Sequence, residues 1–189
     1  MTGPLLVTAF EPFGGDEENS SALVLELVLT RLHSPVVSAI LPVSYERAPA
    51  TVRSLAAAHQ PRAVVCLGQA AGRVALSFEV LAQNRRDALA PDADGVNGEG
   101  ALVRDVSTST LVSTVPLNEM VAAARVAGAP TELSTSAGGY VCNALFFGTL
   151  LDQLAPRVGF IHVPLTTTQR ANGSAPRLDA GLAAALSEL

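Results

Sequence analysis

Charged residues are scarce in this chain: Asp, Glu, Lys and Arg make up 15% of its 189 residues, against about 25% in an average domain. With 49% hydrophobic residues, that scarcity excludes a disordered chain and a charged coiled coil. The 12 basic and 17 acidic side chains leave a formal charge of -5, and like charges never gather in a block. A nucleic-acid surface needs clustered cations to displace phosphate counterions, so none is expected. Cysteine is scarcer still. Cys66 and Cys142 are too few for a disulfide framework, and neither they nor the three histidines have a metal-ligand spacing, so no metal and no cofactor are expected. A reducing compartment suits such a chain. No apolar run approaches the ~18 residues of a membrane span, and Met1-Thr2-Gly3-Pro4 lacks the basic start of a leader. The expectation is a soluble, cytoplasmic protein forming a single domain over residues 1–189.

What is present is alternation. Short apolar runs bounded by turn residues trade places with segments of helical period, the pattern of a sheet covered by helices. Strands are expected at Leu5 to Phe10, Val36 to Val43, Ala63 to Leu67, Thr110 to Val115 and Val158 to Val163, with Val74 to Gln83 extended as well. Helices are expected to carry Leu23, Leu27 and Val28, to run from about Tyr45 behind a Ser44 cap to His59, to span Leu117 to Val126, and to begin near Tyr140. A terminal helix would open on Ser174 and Pro176. Residues 84 to 105 show no usable period, and a loop that long is usually functional or mobile.

Cys142 is the leading candidate for chemistry. It follows Gly138-Gly139 and falls in the first turn of a predicted helix, where unpaired amides and the helix dipole lower a thiol's pKa. Glycines there also let backbone N–H groups turn toward an oxyanion. Cys66, inside Ala-Val-Val-Cys-Leu, reads as core. His162 sits near the C-terminal end of the last strand, where catalytic groups gather in open α/β sheets, although a lone His among apolar neighbours is commonly a satisfied core residue. His33 and His59 precede prolines at predicted helix ends and merely suit the dipole. A thiol and its base want a third group to orient the imidazole. Glu79 is conspicuous in Leu-Ser-Phe-Glu-Val-Leu, yet alternation alone makes it a solvent-facing carboxylate.

Four stretches then carry a family likeness: Leu6 to Gly15 (LVTAFEPFGG), Gly68 to Arg73 (GQAAGR), Ser136 to Asn143 (SAGGYVCN) and Gly159 to Pro164 (GFIHVP). In order and separation they resemble the pyroglutamyl peptidase I family, cytosolic cysteine exopeptidases that remove 5-oxoproline from blocked peptide N-termini. The resemblance implies a three-layer α/β/α sandwich around a twisted mixed sheet, with Cys142 as nucleophile, His162 as base and Glu79 as the orienting acid. It implies that Phe10 and Phe13 hold the lactam ring, with Asn19, Gln69 and Tyr140 beside it. It also implies peptide substrates with N-terminal pyroglutamate and, as in many members, a homotetramer. Many members carry Arg where this chain has Leu89, which leaves a second reading, a homologue that binds pyroglutamyl ligands without turning them over. A third reading, a small-molecule enzyme such as a nucleoside phosphorylase with an anion at a Gly-Gly turn, gives Cys142 and His162 no role.

Overall fold

The computed structural model of the chain describes residues 3–166, 169 and 177–189. Strands β1 (Leu5–Phe10), β3 (Ala63–Gln69) and β8 (Arg157–Val163) are buried almost throughout, as near-continuous apolar runs must be when both sheet faces are covered. With β2 (Val36–Leu41), β4 (Leu76–Glu79) and β7 (Thr131–Ser134) they form a six-stranded sheet in the order β2-β1-β3-β8-β4-β7. The first four strands in that order are parallel, β4 runs antiparallel to β8, and β7 is parallel to β4. The sheet is therefore mixed.

Alternation along the strands sorts the core into two layers. Leu5, Val7, Val65, Leu67, Phe78 and Ile161 face helices α1 (Ser20–Leu29), α3 (Leu117–Val126) and α5 (Leu178–Leu186). Leu6, Phe10, Val64, Cys66 and Phe160 face α2 (Arg47–His59) and α4 (Val141–Leu151). A two-stranded ribbon of β5 (Leu81–Gln83) and β6 (Thr110–Val112) packs on α4.

Several elements depart from the sequence expectation, each for a local reason. In α1 the core face is Val24, Leu25 and Val28, and Leu27 is 52% exposed. β2 stops at Leu41 because Pro42 has no N–H for the ladder. Ser44 does accept from the backbone, at 3.3 Å from Glu46 and 3.0 Å from Arg47, but it caps a turn, and the helix proper begins at Arg47. The stretch expected to be extended from Val74 breaks at Val80, whose N–H goes to Ser134 while its carbonyl takes Ser113, so the chain leaves the main sheet there. β6 ends at Val112, short of Val115. Ser174 and Pro176 lie outside the described residues.

Candidate active site

The strands β1, β3 and β8 end along one edge of the sheet, and the candidate residues collect there. His162 follows Phe160 by two, so its ring shares the α4 face with Phe160 and lies 4.9 Å from it, centroid to centroid. Ser77 pairs with His162 across β4 and β8. Glu79, two residues on, has the same parity and points into the same layer. His162 Nδ1 lies 2.7 Å from Glu79 Oε1, and both side chains are buried. Glu79 is 0% exposed, which overturns the solvent-facing carboxylate that alternation alone suggests: on this side of β4 the His162 ring and the Arg73 guanidinium lie against the carboxylate.

Cys142 reaches the same layer from the opposite direction, in the first turn of α4. Gly138, with φ of 80°, takes a left-handed turn that brings the chain into the helix. Gly139 has no room for a side chain, because the Asp87 carboxylate occupies that space. A Cβ on Gly68 would lie 2.9 Å from Cys142 Sγ and equally close to Phe160, so the thiol rests against the β3 backbone. Gly68 is the cross-strand partner of His162. The thiol therefore stands over the strand pair that carries the imidazole. Asn143, fully buried next to it, fastens α4 to β5: its Oδ1 accepts from Gln83 N–H at 2.9 Å, and its Nδ2 donates to the carbonyls of Gln83 and Arg85 at 2.8 and 2.9 Å. In the sequence, the only mark of Asn143 is its place beside Cys142.

A cavity of about 170 Å³ opens beside the thiol, lined by Phe10, Phe13, Asn19, Val43, Gln69, Tyr140 and Cys142. All five residues expected at a lactam pocket line it, and Val43 joins them from the end of the second strand region. The Phe13 and Tyr140 rings are 5.7 Å apart, and Tyr140 meets Tyr45 edge-on at 5.8 Å. Tyr140 Oη donates to the Pro91 carbonyl at 2.8 Å, tying this wall to the irregular 84–105 stretch. Asn19 is also a helix cap: its Oδ1 accepts from Ser21 N–H at 3.0 Å, and its Nδ2 donates to Glu11 O at 3.0 Å. Gln69 takes Ser20 N–H at 2.8 Å and gives a hydrogen to Asp16 at 2.9 Å. The two amides thus fix the wall as well as face it. A larger hollow of about 860 Å³ lies at the opposite strand ends, by Pro61, Arg62 and Pro156, far from this chemistry.

Burial pushes the Cys142 thiol up to about 12, and Cys66 and the Glu79 carboxylate push the same way, while the residue's own N–H pulls weakly against them. This corrects the lowered pKa expected at a helix start: desolvation outweighs the first-turn amides. The sign is plain. Below its raised pKa the thiol is neutral, so near pH 7 the thiolate is rare. Alkylation of Cys142 by iodoacetamide, followed by mass spectrometry, is expected to quicken about tenfold per pH unit from pH 7 upward without levelling. A plateau below pH 8 would mean a thiolate already formed in the resting site.

Among the described residues no cluster of three His, Cys, Asp or Glu side chains is placed to hold a metal ion, and no helix is long and apolar enough to cross a membrane. Residues 4–182 match the sequence profile of the family described as Pyroglutamyl peptidase. The chain belongs to the pyroglutamyl peptidase family. It is 38% identical over 170 residues to the pyrrolidone-carboxylate peptidase of Gloeobacter violaceus, covering 87% of this chain and 83% of that protein. Its fold matches the crystal structure of the pyrrolidone carboxyl peptidase of Thermus thermophilus with a TM-score of 0.89 and 34% identity, over 98% of this chain and 100% of that one. Pyroglutamyl peptidase I of Bacillus amyloliquefaciens superposes with a TM-score of 0.85 at 30% identity, over 98% of both chains. Membership makes this chain a peptidase and leaves the phosphorylase reading without support. Nor does anything favour a homologue that only binds, for Leu89 is 82% exposed and the half-buried Cys142 and the buried His162 and Glu79 come together without it.

Proposed function

We propose that this peptidase hydrolyses the bond after an N-terminal pyroglutamyl residue by thiol chemistry, with Cys142 as nucleophile, His162 as general acid and base, and Glu79 holding the imidazole. The observation that carries the reading is the buried 2.7 Å contact between His162 Nδ1 and Glu79 Oε1, on the sheet face that the Cys142 thiol overlies. A carboxylate on Nδ1 fixes the proton there and leaves Nε2 free to accept another. His162 takes the thiol proton as Sγ attacks the carbonyl. The first amides of α4 have no intrahelical acceptor and face the developing oxyanion. As the tetrahedral intermediate collapses, the C–N bond breaks and His162 returns the proton to the leaving amine. Water then attacks the thioester, His162 taking its proton, and 5-oxoproline and the free thiol are released.

The cavity suits the substrate class. 5-Oxoproline is small and has no charged amine, so it wants apolar walls with a few polar partners. Phe10, Phe13, Val43 and Tyr140 supply the walls. Asn19 Nδ2 and Gln69 Nε2 each carry a second N–H beyond the bond described above, and these are the side-chain donors at the wall for the ring carbonyl. Fluorogenic amides of pyroglutamate, proline and glutamate test the reading directly. Proline lacks the ring carbonyl, and each donor left unpaired costs about 1 to 3 kcal/mol, so kcat/KM for the proline amide is expected to fall by about one to two orders of magnitude or more. The open-chain glutamyl amide brings charge into an apolar pocket and is expected to do worse. Comparable cleavage of the proline amide would sink the specificity. Binding of pyroglutamate, seen as a raised Tm, with no amide cleaved would return the protein to a binder.

A further inference from the structure

Arg73 lies in the turn between β3 and β4, at the end of the Gly68 to Arg73 motif, and its guanidinium joins three parts of the site. Nη1 is 3.1 Å from Glu79 Oε1 and 3.6 Å from Glu132 Oε1, and Nη2 donates to the Ser136 carbonyl at 2.8 Å. The Glu79 oxygen it meets is the one that meets His162 Nδ1. The other, Oε2, has no hydrogen-bond partner among the described residues. With Arg73 24% exposed and Glu79 fully buried, the pair is mostly withdrawn from water, where attraction between charges is poorly screened. Ser136 begins the turn through Gly138 and Gly139 that delivers Cys142. One cation thus grips both the acid behind the imidazole and the approach to the nucleophile.

The geometry points to Arg73 as a positioning residue for the hydrolysis, its charge moderating the hold of Glu79 on the His162 proton and its fork keeping the acid and the Cys142 turn in register. This rests on the Cys/His/Glu chemistry proposed above. Among the described residues, the charged groups that the contacts above bring to the dyad come from three elements: Arg73 from the turn, Glu79 from β4 and Glu132 from β7. Cys142 on α4 adds a titratable group held neutral. Glu132 is half-exposed, accepts from Ser77 Oγ and lies opposite Ser77 in the β4–β7 pair. Among the described residues, Arg73 is therefore the positive charge that these contacts set against two carboxylates. Without it Glu79 draws a proton onto the imidazole more strongly, and an imidazolium cannot accept the thiol proton. A lysine keeps the charge, but a single ammonium cannot reproduce the two-pronged contact to Glu79 and Ser136.

The test is the pH profile of kcat/KM for a pyroglutamyl amide, with Tm measured alongside, in the full chain and in Arg73→Met and Arg73→Lys. Arg73→Met is expected to move the acid limb up by on the order of one pH unit, which makes kcat/KM about tenfold lower at a pH on that limb. Arg73→Lys is expected to keep the parental limb while kcat falls several-fold. If Arg73→Met does not fold, Arg73→Gln carries the same expectation. A side chain that only braces the fold lowers Tm and leaves the limb in place, and that result overturns the inference. The parent chemistry fails separately: turnover surviving in His162→Ala removes the dyad, whereas a dead His162→Ala beside an unmoved Arg73→Met limb removes only the role of Arg73.

Discussion

Replacing Cys142 by serine is expected to lower turnover of a pyroglutamyl amide by at least about 10³-fold, while Cys66→Ala keeps it within a few-fold of the parent. The two thiols make a sharp pair because burial pushes both up to about 12, so acidity does not separate them. Access and company do. Cys66 is packed with Leu6, Val64 and Phe160 in the apolar layer and is 1% exposed. Cys142 lines the 170 Å³ cavity and overlies the strand pair that holds His162. A serine hydroxyl is a still weaker acid than this thiol, and an imidazole able to draw a proton from sulfur as it attacks does so far less readily from oxygen. Binding is expected to survive, since the walls that meet the ring are untouched, so the loss falls on kcat and not on KM. Near-parental turnover in Cys142→Ser, or inactivation that tracks alkylation of Cys66, would remove Cys142 from the reaction.

The layers were legible in the sequence because buried parallel strands announce themselves: Leu5 to Phe10, Ala63 to Leu67 and Val158 to Val163 read as continuous apolar runs and prove to be the centre of the sheet. Elements at the periphery were legible in kind but not in extent. The bend at Val80 depends on partners at Ser113 and Ser134, which no local pattern reveals. Leu27 has the right chemistry and the wrong angle, since Val24 and Leu25 turn α1 onto its core face. At the site, Cys142 and His162 stood out by position, one after a glycine turn and one at a strand end. Glu79 did not, because period two says which residues share a face and not which face is covered. Arg73 and Asn143 were illegible for a different reason. Their bonds to the carbonyls of Ser136, Gln83 and Arg85 leave no mark on the sequence, and the contact of Arg73 with Glu79 depends on a burial that period two does not reveal. The thiol's pKa departs from the sequence expectation because a helix start is visible in sequence and the depth of burial is not.

Glu79→Gln is expected to cut kcat by about 10²-fold or more with the fold intact, and the loss follows from where a proton sits and from the charge that stabilises it. As a carboxylate, Glu79 only accepts, so it fixes the proton on Nδ1 and leaves Nε2 open toward the thiol. A glutamine amide turned with its NH2 toward the ring donates instead, which drives the proton to Nε2, and an Nε2 that already carries hydrogen cannot take one from Cys142. Turned the other way, the amide oxygen preserves the tautomer but gives an imidazolium no charge to lean on. Either orientation slows the step in which sulfur attacks. Arg73 decides which orientation wins, because its Nη1 faces Oε1 at 3.1 Å and repels an NH2 group placed there. The amide oxygen then stays shared between guanidinium and imidazole, and the loss comes from charge rather than tautomer. Glu79→Gln in an Arg73→Met background frees the amide to turn, so the double variant is expected to be slower than either single one at a pH above both acid limbs. Stopped-flow measurement of the first turnover separates this from slow product release. A Glu79→Gln enzyme with parental kcat would mean that the carboxylate serves Arg73 alone and that His162 finds its tautomer without help.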